Sequence, residues 1–256
     1  MMVTGSLRAM EAQARRYRHT WRASVFSSFL SPVLFLLAMG VGLGSLVDAR
    51  GGPGGFSYLT WLAPGLIMAT AMQVGFGEST YPVLAAIRWT KTYHSALSTP
   101  LVTEELVVGH LGWVTLRLAQ VALAYGAVAA GFGAVKLSVL PLLMVAAVLT
   151  GLAFSAPTLW FAAALEKDTA ISSALRFGIT PLFLFSGTFF PIEQLPVFIR
   201  PVAYLTPLWH GVELARTWAL GIEPVVPAVW HVLFLATVAG VGAAGGARRL
   251  RRRLVT

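Results

Sequence analysis

The stretch LSVLPLLMVAAVLTGLAFSAPTLWFAAAL, residues 137–165, runs for 29 positions without a charged residue. A helix of about 20 predominantly apolar residues is long enough to cross the hydrocarbon core of a bilayer. Apolar runs of this length are not typical of the buried strands and helices of soluble domains. The stretch therefore predicts a transmembrane helix, which Pro157 can kink and whose extra length a tilt can accommodate.

The whole chain shares this apolar character. Of its 256 residues, 57% are hydrophobic and 11% are charged, and the mean hydropathy is +0.74. Soluble domains carry about 25% charged residues, so this chain has too few charges to cover a water-facing surface. Disordered chains are poor in apolar residues and are excluded as well. The absence of cysteine excludes disulfides, thiolate metal sites and cysteine nucleophiles.

Six stretches reach or approach the length of a membrane span, so we predict an all-α polytopic membrane protein with six transmembrane helices. Glu78 lies in the second of these spans, His110 and Arg117 in the third, and Arg176 in the fifth. The predicted spans cover residues 23–47, 56–80, 106–131, 137–165, 170–191 and 225–247.

The basic residues predict the orientation of these spans. Six spans place both termini and the connections after the second and fourth spans on the same side of the membrane. Thirteen Lys and Arg residues lie in these segments, against four on the other side. Cytoplasmic segments carry the excess of Lys and Arg, so both termini are expected in the cytoplasm. The net charge of +9 is then explained by basic residues that face the anionic surface of the membrane, rather than by a nucleic-acid site. The thirteen are Arg8, Arg15, Arg16, Arg18, Arg22, Arg88, Lys91, Lys167, Arg248, Arg249, Arg251, Arg252 and Arg253.

The N-terminal residues 1–22 form a separate unit ahead of the transmembrane domain, residues 23–256. Charged residues recur at spacings of three and four, and an apolar stripe follows the same spacing beside them. We predict a helix over residues 7–22 that lies in the headgroup plane; the alternative is a solvated basic leader. The charged stripe is Arg8, Glu11, Arg15, Arg18 and Arg22, and the apolar stripe is Leu7, Met10, Ala14, Tyr17 and Trp21.

The connection between the second and third spans is expected to contain a short cytoplasmic helix over residues 88–99. It mixes Arg88, Lys91 and His94 with Trp89, Tyr93 and Leu97. The three apolar side chains recur every four residues and predict a stripe that docks into a groove on a soluble partner. The alternative is that the stripe packs against the protein's own spans. Thr103 is expected to cap the next helix, whose first turn holds Glu104 and Glu105.

The connection between the fifth and sixth spans is expected on the outer side. Gly187 and Pro191 predict the break at which span five stops, with Phe189 and Phe190 near the outer leaflet. Residues 195–220 are too polar to span the membrane and too apolar for a free loop. They predict two short helices that dip back without crossing, and these include Glu213.

Two ionisable residues of the spans are expected to meet. Arg117 lies about three turns into span three from the cytoplasmic side, where exposure to lipid is costly. Glu78 ends span two on that same side, so we predict a salt bridge or a link through a polar neighbour. The alternative is that Arg117 snorkels to the headgroups.

Catalytic and metal-binding patterns are absent from the sequence. None of the three lysines lies in a phosphate-binding loop, and neither His-Glu-x-x-His nor Gly-x-Ser-x-Gly occurs. Only His210 has a ligand candidate at helical spacing, Glu213, and two ligands do not make a site. We expect a non-catalytic chain without a cofactor or metal of its own.

Four stretches, in order, resemble the permeases of ABC-2 type exporters, in particular the nodulation lipo-oligosaccharide and daunorubicin-type drug export permeases. SPVLFLLA at residues 31–38 with GVGLG at 40–44 is similar to the first span, and YL at 58–59 with APGL at 63–66 to the second. KTYHSALSTPL at 91–101 resembles the coupling segment. FSGTFFP at 185–191, followed by LP at 195–196, PL at 207–208 and Glu213, resembles the signature before the last span.

The resemblance implies a permease subunit that works as a dimer, expected to be a homodimer, in a bacterial inner membrane. A separate ATPase subunit would bind ATP and Mg²⁺ and dock on the coupling segment. The implied docking residues are Arg88, Trp89, Lys91, Tyr93, His94, Leu97 and Thr99; the implied outer gate is Gly187, Phe189, Phe190, Pro191 and Glu213. The cargo would be an amphipathic or hydrophobic drug, lipid or lipo-oligosaccharide, exported from the cytoplasm or the inner leaflet. An ion-coupled secondary transporter or channel and a membrane-embedded enzyme stay open as alternatives.

Overall fold

The computed structural model describes residues 2–18 and 21–255, and within these ranges the secondary structure is entirely helical. We number the helices α1 to α11 along the chain. Residues 19 and 20, which belong to the predicted N-terminal helix, lie outside the described residues. The short helices are α1 (Met2–Tyr17), α4 (Tyr81–Arg88), α5 (Thr92–Leu97), α9 (Arg200–Tyr204) and α10 (Pro207–Leu220).

Long helices occupy five of the six predicted spans, and a 17-residue helix occupies the fifth. Four stretches among the described residues are long and apolar enough to cross a membrane, namely Tyr58–Arg88, Thr103–Gly131, Leu137–Ala164 and Ala228–Leu254. They contain α3 (Tyr58–Ser79) followed by α4, then α6 (Thr103–Gly131), α7 (Leu140–Ala164) and α11 (Ala228–Leu254). That six spans cross the membrane remains a prediction.

The helices at the first and fifth predicted spans both contain a π-helical turn. Helix α2 covers residues 21–48 and is π-helical over Leu36–Leu43. Helix α8 (Thr169–Phe185) is π-helical over Leu175–Ile179. Its 17 residues extend roughly 25 Å at 1.5 Å per residue, which is short for a hydrocarbon core about 30 Å thick. Helix α8 ends six residues before residue 191, the predicted end of span five, but at the break that Gly187 was predicted to mark. The helix stops at Phe185 because Gly187 turns the chain with a φ of 81°.

The core of the bundle is built around α7, which packs against α3, α6, α10 and α11. Small residues allow these helices to approach closely, as is typical where membrane helices associate through packing rather than hydrophobicity. A Cβ atom on Gly75 would collide with the backbone of Gly151, and one on Gly242 would collide with Pro157. Pro157 therefore lies where α11 crosses α7.

The N-terminal helix differs from its prediction, because it covers Met2–Tyr17 rather than residues 7–22. It packs along the first half of α6, where Gly109 allows a close approach. A Cβ on Gly109 would lie 2.6 Å from the carbonyl oxygen of Ser6 and 2.6 Å from the Cβ of Ala9. The helix is thus attached to a predicted span on one face. Leu7 and Trp21, from the predicted apolar stripe, are both exposed.

A single helix over residues 88–99 is also a wrong prediction. Helix α4 ends at Arg88, where the amides of Trp89 and Thr90 both donate to the carbonyl of Ala85. Lys91 then takes a left-handed conformation with a φ of 52°, which a helix of L-residues cannot continue through. Helix α5 follows it. Thr103 is not the cap of α6 either, since the carboxylate of Glu105 accepts a hydrogen bond from the amide of Val102 at 3.2 Å.

Candidate functional site

The segments that were predicted to be cytoplasmic meet at one end of the bundle, which we call the basic end. Six residues between 84 and 94, residues 166–169 and the last turn of α11 line a common cavity there. Beneath them, a buried apolar cluster joins α4, α5 and α6 to α7 and α11; its members include Val83, Ile87, Tyr93, Val107 and Leu250. The arrangement brings the coupling segment, residues 88–99, into contact with three long helices.

The predicted pair of Glu78 and Arg117 forms a salt bridge at the basic end. Arg117 Nε donates to Glu78 Oε1 at 3.1 Å, and the two side chains are 9% and 25% exposed. Arg117 Nη1 also donates to Tyr17 Oη at 2.7 Å and to Gln120 Oε1 at 2.9 Å. The guanidinium carbon lies 4.6 Å from the centre of the Tyr17 ring. Arg117 therefore ties α1 to α3 and α6.

A second polar cluster, centred on His110, was not predicted. His110 Nε2 lies 3.1 Å from Ser79 Oγ, which is 2.6 Å from Ser155 Oγ. His110 Nδ1 lies 3.3 Å from Gln13 Nε2 and 3.5 Å from Tyr93 Oη. The cluster thus joins α1, α3, α5, α6 and α7 through one imidazole. Its sequence signal is a histidine inside an apolar span, because a buried polar group in such a place requires partners.

The coupling segment presents only part of its predicted stripe. Trp89 is 59% exposed, whereas Tyr93 is 6% exposed and packs in the apolar cluster beneath the segment. Leu97 is half-buried. The Tyr93 ring therefore packs against the protein's own helices, as the alternative prediction has it, and its role as a docking anchor remains a prediction. The four polar members, Arg88, Lys91, His94 and Thr99, are exposed.

The outer connection contains the two short helices that were predicted, α9 and α10. Phe189 packs edge-on against Phe183 at 4.9 Å between ring centres, and its carbonyl accepts from Tyr58 Oη at 3.3 Å. Phe190 is half-buried beside Ile192, and Pro191 precedes a short 3₁₀ turn over Ile192–Gln194. That these helices dip into the membrane remains a prediction.

A buried arginine of this outer connection was missed as a structural residue. Arg216 is one of the four basic residues that the charge count placed on the side opposite the termini, yet it is 6% exposed. Its guanidinium donates to the carbonyls of Thr188 at 3.1 Å and Trp61 at 3.4 Å and lies 3.4 Å from the Trp61 ring centre. Glu213 is half-buried one turn earlier, and burial raises the pKa of its carboxyl while Arg216 opposes the rise. These contacts attach α10 to α3.

Histidines do not gather into a metal site within the described ranges. The helical spacing suggested Glu213 as the neighbour of His210, but its neighbour in the structure is His231. Its Nδ1 lies 2.8 Å from Nδ1 of His231, and its ring stacks on Phe234 at 3.9 Å. One ring of this pair must donate and the other accept, so the contact joins α10 to α11 as a hydrogen bond.

Comparison with known proteins agrees with this architecture. Residues 8–220 match the model of the ABC-2 type transporter family. The chain is 32% identical to nodulation protein J of Rhizobium leguminosarum bv. trifolii, over 98% of this chain and 95% of the relative. It is 31% identical to nodulation protein J of Rhizobium meliloti (strain 1021), over 94% and 92%. The inner membrane transport permease YadH of Escherichia coli (strain K12) is 24% identical over 83% and 82%. The chain therefore belongs to the ABC-2 type transporter family.

Proposed function

We propose that this chain is the membrane subunit of an ATP-driven exporter and that it docks a separate ATPase subunit on its basic end. The ATPase would bind ATP and Mg²⁺, and this chain would carry no catalytic residue. The observation that carries the proposal is the coupling segment. An exposed tryptophan and exposed cations project from a turn that is anchored on three long helices. A free surface loop has no need of such anchoring.

The polar cluster around His110 supports transmission of movement from the docking site. Tyr93 contacts both the apolar cluster of the coupling segment and the imidazole of His110. His110 in turn contacts Ser79 of α3, and Ser79 contacts Ser155 of α7. A displacement of α5 would thus act on three predicted spans at once. Packed cores of this kind switch between discrete arrangements rather than deforming continuously.

The exposed apolar faces support both an amphipathic cargo and a second permease copy. Helices α2 and α8 carry exposed phenylalanines, and Phe177 is 82% exposed. A homodimer that brings these faces together would line its interface with aromatic and aliphatic side chains. Such a path suits a drug, a lipid or a lipo-oligosaccharide better than a large polar solute. The subunit would lie in a bacterial inner membrane with both termini in the cytoplasm.

Affinity purification from the native host tests the proposal. A tagged chain extracted in mild detergent should retain a polypeptide that carries a phosphate-binding loop, and the complex should hydrolyse Mg-ATP. Trp89→Ala should release that polypeptide, whereas Trp230→Ala, an exposed tryptophan near the start of α11, should not. Transport by the purified chain alone, driven by an ion gradient in proteoliposomes, would contradict the proposal and favour a secondary transporter.

A further inference from the structure

The predicted fifth span carries a cation that the rest of the chain does not neutralise. Arg176 lies in α8 (Thr169–Phe185), and its side chain is exposed. No ion pair among the described residues includes it. Ionisable side chains within membrane spans are rare, and they mark a partner, a water-filled cavity or a ligand. Arg176 therefore needs an anion from outside this chain.

The depth of Arg176 distinguishes it from the cations of the basic end. It lies roughly 10 Å along the helix axis from Thr169. Lys167 lies at the basic end itself, about two and a half turns before Arg176. A cation that only met phosphate head groups at the membrane surface would lie in a terminal turn, as the arginines at the end of α11 do. A deeper guanidinium loses hydration, and a bound anion offsets that loss.

The exposed side of α8 is polar toward the basic end and apolar toward the outer end. Ser173 is exposed about one turn before Arg176. Phe177 beside it is 82% exposed, and Leu184 and Phe185 are exposed at the far end of the helix. A cation next to an exposed apolar strip matches a molecule that has an anionic head group and an apolar chain.

A second permease copy would not supply the missing anion. Helix α8 contains no Asp or Glu, and the predicted first span, residues 23–47, contains none either. In a dimer whose two-fold axis runs along the membrane normal, equivalent residues lie at the same depth. The faces of α2 and α8 would then add a second Arg176 and no acid. Glu166 and Asp168 would stay at the basic end in both copies. The counter-charge must therefore come from another molecule.

We propose that Arg176 binds the anionic head group of the exported amphipath, whose apolar chain lies along Phe177, Leu184 and Phe185. This rests on the proposed function and deepens it, because it assigns a charge to the cargo. A guanidinium forms paired hydrogen bonds with a carboxylate, a sulfate or a phosphate. Arg176 also lies in the π-helical turn Leu175–Ile179, and such turns often occur at functional sites. A zwitterionic amphipath with the same apolar chain would bind less tightly.

Photo-cross-linking of the full chain in phosphatidylcholine nanodiscs tests this site. The probes are hexadecyl sulfate and hexadecylphosphocholine, each with a diazirine at the same position of the alkyl chain. We expect the sulfate probe to label residues 169–185 about tenfold more strongly than the phosphocholine probe, because only the sulfate has a net charge to pair with Arg176. Mass spectrometry of the labelled peptides measures this preference. Equal labelling of α8 by the two probes in the wild type would overturn the inference.

Substitutions at Arg176 should change this preference in a graded way. The side chain is exposed, so Arg176→Gln should leave the folded yield unchanged while reducing the preference to within about twofold. Arg176→Lys should be intermediate, because the charge remains while the paired geometry is lost. The matched control is Arg251→Gln, which removes one exposed cation from the basic end and should retain the full preference. If both glutamine variants lower the preference equally, the probe responds to net charge and the site is wrong.

Phosphatidylglycerol distinguishes cargo from the surrounding lipid, since it offers an anionic head group from the bilayer. Replacement of part of the phosphatidylcholine by phosphatidylglycerol should leave the sulfate labelling of α8 unchanged, because a dimer interface would shield this face from bulk lipid. Loss of labelling would show that Arg176 meets membrane lipid instead, and would overturn the inference.

ATP hydrolysis separates this inference from the proposed function. If the purified complex hydrolyses Mg-ATP while Arg176→Gln labels as the wild type does, the proposed function stands and the head-group site is wrong. If no ATPase co-purifies, the proposed function fails, and the labelling preference then reports on a head-group site in a transporter of another kind.

Discussion

Two ionisable residues inside the predicted third span, Arg117 and His110, each make several contacts. Arg117 reaches one carboxylate, one hydroxyl and one amide, and it also lies over an aromatic ring. His110 touches three other side chains, Gln13, Ser79 and Tyr93. An isolated charge or imidazole in hydrocarbon is costly, so these residues are tolerated only where other helices supply polar partners. Arg216 follows the same rule with two carbonyls and one tryptophan.

Substitution of either partner in the Glu78–Arg117 pair should destabilise the fold. Glu78→Gln leaves the guanidinium without its counter-ion, and we expect a loss of about 1–3 kcal/mol in the free energy of unfolding. Arg117→Gln should cost a similar amount. The double substitution should cost less than the sum, because neither partner is then left as an uncompensated charge. Thermal unfolding in detergent measures the three values.

The control for this double-mutant cycle is the ion pair of Glu11 and Arg15 on α1. Arg15 Nη2 lies 2.7 Å from Glu11 Oε1, and both side chains are largely exposed. Glu11→Gln should change the stability by at most about 0.5 kcal/mol, since an exposed pair contributes little. Strictly additive costs at Glu78 and Arg117 would contradict the coupling that the geometry indicates.

At the scale of elements, the packing of α1 and the division of residues 88–99 do not follow from the spacing of their apolar and charged residues. The stripes of α1 predict a helix on the membrane surface, yet glycines of α6 let it pack directly on a span. The stripe of residues 88–99 predicts one helix, yet the left-handed Lys91 divides it. Both outcomes depend on the neighbouring helix rather than on periodicity.

Gly109 should be required for the attachment of α1. In Gly109→Ala the new methyl group meets the backbone of Ser6 and the Cβ of Ala9, neither of which can rotate away. We expect α1 to separate from α6 and its arginines to become several-fold more sensitive to trypsin. Gly112→Ala is the matched control, because its methyl group would lie 3.3 Å from the flexible Met10 side chain. Equal trypsin sensitivity in the two variants would argue against close packing of α1.

The two aromatic residues of the coupling segment should respond differently to truncation. Tyr93→Ala removes a buried ring and should lower the free energy of unfolding by about 3–5 kcal/mol, together with the folded yield. Trp89→Ala removes an exposed ring and should leave the yield unchanged while reducing retention of the ATPase. Size-exclusion profiles and co-purification separate the two effects. If Tyr93→Ala folds normally but loses the ATPase, the ring is a docking anchor after all.

At the scale of the whole molecule, the segments assigned to one side by charge do gather at one end. The coupling segment, the loop 165–168 and the arginine-rich end of α11 line one cavity. Residues 43–53 and Gln194, assigned to the other side or its border, line another. The two cavities lie among segments that were assigned to opposite sides, which agrees with helices that run alternately up and down through the bundle.

Cysteine labelling should assign the two ends, and the chain offers a clean background because it contains no cysteine. Gln194→Cys should react with an impermeant maleimide added to intact cells. Arg251→Cys should react only after the membrane is opened. The physical reason is the excess of cations at the basic end, which retains that end in the cytoplasm. Labelling of Arg251→Cys in intact cells would reverse the whole topology.

The sequence by itself determined the class of protein, the positions of six helical stretches and the family. These follow from local hydropathy and from motifs in order, since a helix in a bilayer must satisfy its own backbone and be apolar over a sufficient length. The pairing of Glu78 with Arg117 was also predictable, because an isolated charge inside a span is unfavourable and an opposite charge at the same depth stabilises it. The tertiary structure alone decided the burial of Tyr93, the contacts of His110 and Arg216, and the cavity at the basic end. These depend on which side chains from distant segments meet, and hydropathy does not encode that packing.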